Sequence, residues 1–165
     1  MNKKLIGILA ALVVLGTSNV FALGIGAQGG ASPVAGSGVN GGGALTFSLD
    51  KTGPIFALDV AGWNNSLYLG LTFDWWAANP KISGGFGYFY GIGGAAGLYG
   101  FDNGLTLYAG IRPFIGLNWF VVPPFELYLD VAWQPGFTVG LNSNGGGFGF
   151  SPWRFPVNFG FRFWI

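Results

Sequence analysis

The sequence predicts an all-β fold: an eight-stranded antiparallel up-and-down transmembrane β-barrel after a cleaved signal peptide. Three observations predict it. First, residues 153–165 alternate strictly. Trp153, Phe155, Val157, Phe159, Phe161, Phe163 and Ile165 form one set; Arg154, Pro156, Asn158, Gly160, Arg162 and Trp164 form the other. Successive side chains of a strand point to opposite faces, so this strand has one oily face and one mostly polar face. Second, 51% of the residues are apolar and 18% aromatic, while only 8% are charged. A soluble domain needs more surface charge than that; a strand wall facing acyl chains needs none. Third, the scarce in-strand charges all fall on one register.

Residues 1–22 read as a signal peptide. Lys3 and Lys4 make a basic start, residues 5–15 an apolar run, and residues 16–22 a small-residue cleavage region ending at Ala22. The run is short for a bilayer crossing; an uncleaved anchor is the alternative. Residues 23–165 then form one barrel domain. Export through the Sec pathway to the outer membrane of a Gram-negative bacterium is the expected route.

The chain has no Cys and no His. Disulfides, thiolates, the commonest general base and the commonest transition-metal ligand are therefore missing. After residue 22 there are five cations, Lys51, Lys81, Arg112, Arg154 and Arg162, against six carboxylates, a net charge of −1. No basic field for nucleic acid exists, and no cofactor is expected.

Residues 23–29 alternate as a first strand, and Gly, Ser and Pro in 30–40 suggest a loop. Residues 41–49 form the second strand, with Leu45, Phe47 and Leu49 opposite Ala44, Thr46 and Ser48. A turn at 50–54 leads to a third strand, 55–63, with Phe56, Leu58 and Val60 outward. After a reversal at 64–66 comes the cleanest strand, 67–76: Leu67, Leu69, Leu71, Phe73 and Trp75 face one way, Tyr68, Gly70, Thr72 and Asp74 the other. A connection through 79–81 precedes the fifth strand, 85–99. Asp102-Asn103-Gly104 is a hairpin signal, because Asn-Gly tolerates positive φ. The sixth strand, 105–119, turns outward Leu105, Leu107, Ala109, Ile111, Ile115 and Leu117. Pro123 and Pro124 force a turn within 120–125. The seventh strand starts at Glu126, sets Leu127, Leu129, Val131 and Trp133 outward, and continues past Pro135 to Leu141. A Gly-rich loop, 142–151, precedes the eighth.

Eight strands bring both ends of the barrel domain to one side, expected to be periplasmic, with the longest loops, first-to-second and seventh-to-eighth, outside. Trp63 and Trp153 fall at the outer ends; Trp75, Trp76, Trp119 and Trp164 fall at the inner ends, as interfacial girdles would. Trp133 falls mid-strand. Pro113, Pro135 and Pro156 lie within strands, and each removes a ladder donor. Bulges or bends are expected there. A soluble β-sandwich is the competing fold, disfavoured by the charge deficit.

Asp59, Asp74, Arg112, Glu126, Asp130, Arg154 and Arg162 all take the inward register. With Tyr68, Tyr108, Tyr128, Gln134 and Asn158 they would form a polar lumen filling, since an eight-stranded barrel is about wide enough for side chains. Inward glycines such as Gly70, Gly110, Gly116 and Gly160 would let the wall curve or leave a gap. Asp59 and Asp74, read as neighbours at similar depth, could share a proton as a carboxylate pair. Salt bridging to Arg112 is favoured, because buried charges persist when paired. Residues 91–97 are Gly-rich but carry no Lys-Ser/Thr and open no helix, so they are no phosphate loop.

This pattern resembles the small eight-stranded outer-membrane barrels of the OmpA membrane-domain, OmpX and OmpW type. The residues Arg112-Pro113, Gly116-Leu-Asn-Trp119, Pro124, Glu126-Leu-Tyr128 and Asp130 are further similar to uncharacterised small barrel families of spirochaetes and some other bacteria. The alternation of Val157, Phe159, Phe161 and Phe163, ending in Trp164 and Ile165, resembles the C-terminal signal read by the barrel-assembly machinery; Ile165 departs from the usual terminal aromatic. The resemblance implies outer-membrane lipid, that machinery and periplasmic chaperones as partners, and a monomer. Enzymatic relatives rely on His, which this chain lacks, and Ser48, Ser66 and Ser143 have no evident base. Two functions are expected: a non-enzymatic envelope or surface-interaction barrel, or alternatively a narrow conduit for small or hydrophobic solutes.

Overall fold

The computed structural model describes residues 22–34, 38–51, 53–63, 66–101, 104–142 and 146–165. The signal peptide, the reversal at 64–65 and Asp102-Asn103 lie outside the described residues, as does the Trp63 side chain.

The described chain is all β. Its elements are β1 (Gly24–Val34), β2 (Gly38–Ser48), β3 (Pro54–Trp63), β4 (Ser66–Ala78), β5 (Lys81–Ser83), β6 (Phe86–Phe101), β7 (Gly104–Val122), β8 (Phe125–Ala132), β9 (Gly136–Asn142), β10 (Phe148–Ser151) and β11 (Val157–Trp164). They build eight staves. β8 and β9 both pair with β7 and form one stave; β10 and β11 form the last, and β5 is a short hairpin arm on β6. β1 pairs with β2 on one side and β11 on the other, from Gly24↔Trp164 to Ala31↔Val157, and this closes an antiparallel ring. Both ends of the barrel wall thus lie at one rim, called here the terminal rim.

The wall alternates as the sequence predicts. Leu45, Leu58, Leu69, Leu71, Ile115, Leu117, Leu129, Phe159 and Phe161 are exposed; Thr46, Ala57, Tyr68, Tyr108, Arg112, Tyr128 and Arg162 are buried. A surface built of Leu, Ile, Val and Phe around the whole ring is one that water does not tolerate and acyl chains do. Closure satisfies the ladder without an edge strand, as a bilayer requires.

The strands are longer than composition suggested. Residues 30–34 and 38–40 are paired strand, not loop: Ala31 faces Gly41 and Val34 faces Gly38. Backbone pairing needs no side chain, so glycine does not end a strand whose partner is fixed. The connection shrinks to 35–37. Gly38 takes a φ of +89°, which favours glycine. The expected loop at 142–151 likewise loses 148–151 to β10.

The prolines depart from expectation in a definite way. Pro113 and Pro135 lie on the same seam, between β7 and the β8–β9 stave. Trp133 N donates to Pro113 O at 2.9 Å, and Ile111 N to Pro135 O at 3.2 Å. The pairings Gly110↔Gly136 and Phe114↔Ala132 keep one register on either side, so no residue is inserted. Each proline omits only its own donor. Pro156 also stays in register, its carbonyl accepting from Ala132 N at 2.9 Å. The register slips beyond Arg154, where Gln134 N still donates to Arg154 O while Ser151 faces Gly136. That one-residue bulge falls at Pro152-Trp153, where the expected eighth strand begins, and sets β10 apart from the rest of the last stave. Trp133 Nε1 caps it, donating to Pro152 O at 2.6 Å, which accounts for a tryptophan in mid-stave.

Leu71 is 52% exposed near the middle of β4. Leu71→Arg should lower the unfolding free energy by about 2–4 kcal/mol in lipid vesicles, read from urea titration, whereas Leu71→Phe should leave it close to wild type.

Candidate functional site

No surface cleft dominates; the candidate site is the barrel interior. Inward residues along β7 give its order from the terminal rim: Asn118, Gly116, Phe114, Arg112, Gly110, Tyr108. Four layers follow that order.

Next to the terminal rim lies Glu126, fully buried. It accepts from Arg162 Nη1 at 3.2 Å, Trp164 Nε1 at 3.0 Å and Asn118 Nδ2 at 2.8 Å. The Arg162 guanidinium lies 4.2 Å from the Tyr128 ring centre and 5.2 Å from that of Trp76, an arrangement that suits a cation in a dry site.

The second layer is aromatic. Trp76 stacks on Phe89 with ring centres 3.9 Å apart and planes 2° from parallel, and Phe89 meets Phe114 at 6.1 Å. Ile55, Tyr128 and Ala132 complete this buried cluster. Phe89 is 2% exposed.

The third layer centres on Arg112. It donates to Asp74 through Nη1 and to Asp130 Oδ1 through Nη2 at 2.7 Å, and Asn158 Nδ2 donates to the same Asp130 oxygen at 3.0 Å. The fourth layer holds Arg154, bonded to Ser32 Oγ at 3.2 Å and to the Tyr99 hydroxyl. Its guanidinium faces the rings of Tyr68, Tyr108 and Tyr99 at 5.3, 5.0 and 5.9 Å. Tyr108 OH donates to Gln134 O at 2.9 Å, and Tyr128 OH to Gln28 Oε1 at 2.9 Å.

The structure separates the carboxylates that the sequence placed together. Asp74 faces Ile55 across the β3–β4 seam, whereas Asp59 faces Gly70. Four positions along a strand is about 13 Å, so the two differ in depth and form no proton-sharing pair at a common level. Asp74 joins Arg112. Asp59 Oδ2 has no hydrogen-bond partner among the described residues and borders a hollow of about 60 Å³ shared with Arg112, Gln134, Arg154 and Asn158. That is room for a few waters in a polar setting.

Two of the six tryptophans assigned to the girdles point the other way. Trp76 and Trp164 are buried inside the barrel, while Trp75, Trp119 and Trp153 are exposed on its outside. Val157, Phe159, Phe161 and Phe163 are exposed on β11 and Ile165 is 76% exposed.

Sequence reasoning missed Trp76, Phe89, Tyr99 and Phe114 as interior residues. The inward glycines carry the missing signal: they are seats for rings. Across the ladders Phe89 faces Gly116, Phe114 faces Gly91, Tyr128 faces Gly160 and Trp164 faces Gly24. Tyr68 lies over the paired Gly70 and Gly97, and Tyr108 over the paired Gly110 and Gly136. A Cβ at Gly91 would come within 2.6 Å of the Phe114 ring, and one at Gly136 within 2.6 Å of the Tyr108 ring. Each ring packs against bare backbone, the packing that rescues glycine in a sheet.

No protein-family model matches this chain, and no curated protein matches it. Solved structures do. The N-terminal β-barrel domain of Pseudomonas aeruginosa OprF is 12% identical, with a TM-score of 0.47, covering 86% of this chain and 97% of that one. Neisserial surface protein A is 12% identical, TM-score 0.49, covering 87% and 96%. A major outer membrane protein from Thermus thermophilus is 12% identical, TM-score 0.40, covering 89% and 100%. The chain's own closed ring and apolar wall make it a small eight-stranded membrane barrel, and barrels of this architecture belong to outer membranes.

Arg112→Ala would leave Asp74 and Asp130 buried without their cation. It should destabilise the barrel by about 3–5 kcal/mol, measured by urea unfolding in vesicles. The triple variant Arg112→Met, Asp74→Asn, Asp130→Asn should recover most of that loss. At Gly160 an added Cβ would lie 2.5 Å from Tyr128 Cζ and 2.8 Å from Ala27 O. Gly160→Ala should therefore cost about 1–3 kcal/mol by overpacking, and Tyr128→Phe should relieve it only in part, because the hydroxyl oxygen also lies 2.5 Å from the added Cβ while Cζ and Ala27 O stay in the way.

Proposed function

We propose that this chain is a non-enzymatic outer-membrane barrel, closed along its axis by its own side chains, that serves the envelope as an embedded structural element. The observation that carries this reading is the sequence of interior layers. The Trp76–Phe89–Phe114 cluster sits between two ion-paired layers, Glu126–Arg162 and Arg112–Asp74–Asp130. A continuous pore needs a wetted line from rim to rim, and the aromatic layer interrupts it.

The conduit alternative has the small hollow beside Asp59 in its favour, but that hollow of about 60 Å³ abuts the Arg112 layer, and beyond it, among Trp76, Phe89 and Phe114, the interior narrows to a hollow of about 10 Å³. Several residue-level facts speak against an enzyme. No His is available, the interior carboxylates Asp74, Asp130 and Glu126 are engaged by arginines, and Ser48 Oγ is committed to Asp50 O at 2.7 Å. Among the described residues no group of His, Cys, Asp or Glu could hold a metal ion.

Reconstitution in planar bilayers tests the reading. The wild-type chain should give no discrete conductance steps, and steps would sink it. The triple variant Trp76→Ala, Phe89→Ala, Phe114→Ala, if it folds by heat-shifted gel mobility, should gain water-filled conductance because the interrupting layer is gone.

A further inference from the structure

Lys51 and Lys81 are the only lysines after residue 4. They come from different connections, yet both border one hollow of about 540 Å³ at the terminal rim. The turn after β2, the β5 arm and the turn after β7 meet there. Neither lysine forms an ion pair among the described residues, whereas Arg112, Arg154 and Arg162 are all bonded inside the barrel. Lys51 Nζ stands 5.6 Å from the Phe120 ring centre and 6.0 Å from that of Trp164, over the mouth of the barrel.

The hollow straddles the wall. On the inward register Asn118 forms its floor; it is 3% exposed, and its Oδ1 has no hydrogen-bond partner. On the outer side Phe86 and Val122 are exposed, and Phe86 stacks on Trp119 with ring centres 5.0 Å apart. Two cationic heads and an unused acceptor thus stand directly beside an oily wall at the level of an aromatic girdle. A soluble anion would use the first part of that arrangement only. A phospholipid would use both, with its phosphate at the lysines, a headgroup hydroxyl or amine donating to Asn118 Oδ1, and its acyl chains on Phe86 and Val122.

We propose that the terminal-rim hollow bordered by Lys51, Lys81 and Asn118 is a binding site for the phosphate-bearing headgroup of a phospholipid in the adjoining leaflet. This rests on the membrane-embedded barrel reading. The same phosphate chemistry could be met by a free phosphate, so the test separates the two. The refolded chain is loaded in micelles with equal amounts of dioleoylphosphatidylglycerol and dioleoylglycerol, and the retained lipid is counted by native mass spectrometry. The wild type should retain one phosphatidylglycerol with a preference of about tenfold or more, two basic residues acting on one phosphate. Lys51→Gln with Lys81→Gln should bring the ratio close to one, and Lys51→Arg with Lys81→Arg should restore most of it. A glutamine pair that keeps the wild-type preference for phosphatidylglycerol would overturn the proposal. Displacement of the lipid by equimolar inorganic phosphate would overturn it too, assigning the site to a soluble anion. A wild-type chain that shifts on heating but holds no phosphatidylglycerol defeats this site and leaves the barrel standing; one that shows no heat shift defeats both.

Discussion

A backbone that crosses hydrocarbon must satisfy its own polar groups, because no water is there to do it. Everything else in this chain follows from that constraint. The ring closes through β1 and β11, so no stave is left with a free edge. Closure fixes which face of every strand looks out, and the period of two then fixes where each charge must go. The constraint also explains how the prolines are housed. Pro113 and Pro135 both sit on the seam between β7 and the β8–β9 stave, and each still accepts through its carbonyl. Pro156 omits a third donor on the adjoining seam, opposite Ala132, and there too the carbonyl still accepts and the register holds.

The second constraint is volume. Eight staves enclose a space that side chains can fill, but a ring of large inward residues on every strand would not fit. The chain alternates instead. A bulky ring on one strand faces a glycine on the next, as in Phe89–Gly116 and Tyr128–Gly160. The ring lies against backbone and reaches toward the axis without pushing the wall outward. The same aromatic faces then receive the guanidinium groups of Arg154 and Arg162. Glycine content that looks like looseness in the sequence is therefore part of close packing.

How much of this was legible depends on what a two-residue period can report. Where an oily set alternates with a polar one, as in Leu67–Leu69–Leu71 against Tyr68–Gly70–Thr72, face and register follow at once. The seven in-strand charges read the same way and lie inside the barrel. Where both sets are apolar the period is weak evidence. The parity of Leu67–Leu69–Leu71–Phe73–Trp75 turns Trp76 inward, and that of Phe86–Tyr88–Tyr90–Ile92 turns Phe89 inward, but a tryptophan near a strand end fits an interfacial girdle equally well. Their glycine partners would have said so, but those pairings run between strands and require a register that one sequence does not print. The same limit misplaced Asp59 beside Asp74: their separation depends on the β3–β4 register, in which Asp59 faces Gly70 and Asp74 faces Ile55. Composition misled at 30–40 for a different reason. Gly, Ser and Pro mark loops in proteins whose strands are held by side-chain packing, while here the neighbouring strand holds the backbone directly.

The interior layers also explain why so much charge is tolerable in a dry shaft. A lone buried ion is costly, and a pair is tolerated only when its remaining polar atoms are met. Glu126 has three donors and Asp130 two, and Arg112 bridges two carboxylates, while Asp74 Oδ1 and Arg162 Nε are buried without a hydrogen-bond partner among the described residues. Each arginine is held by partners from other strands: Arg112 on β7 reaches past β6 to Asp74 on β4 and also holds Asp130 on the adjacent β8, while Arg162 on β11 pairs with Glu126 directly opposite it on the neighbouring β8. A ligand entering the shaft would have to break such a tie before gaining any contact of its own. The rims carry no such obligation. Recognition is therefore easier to build at the terminal rim, where the two lysines stand outside the network.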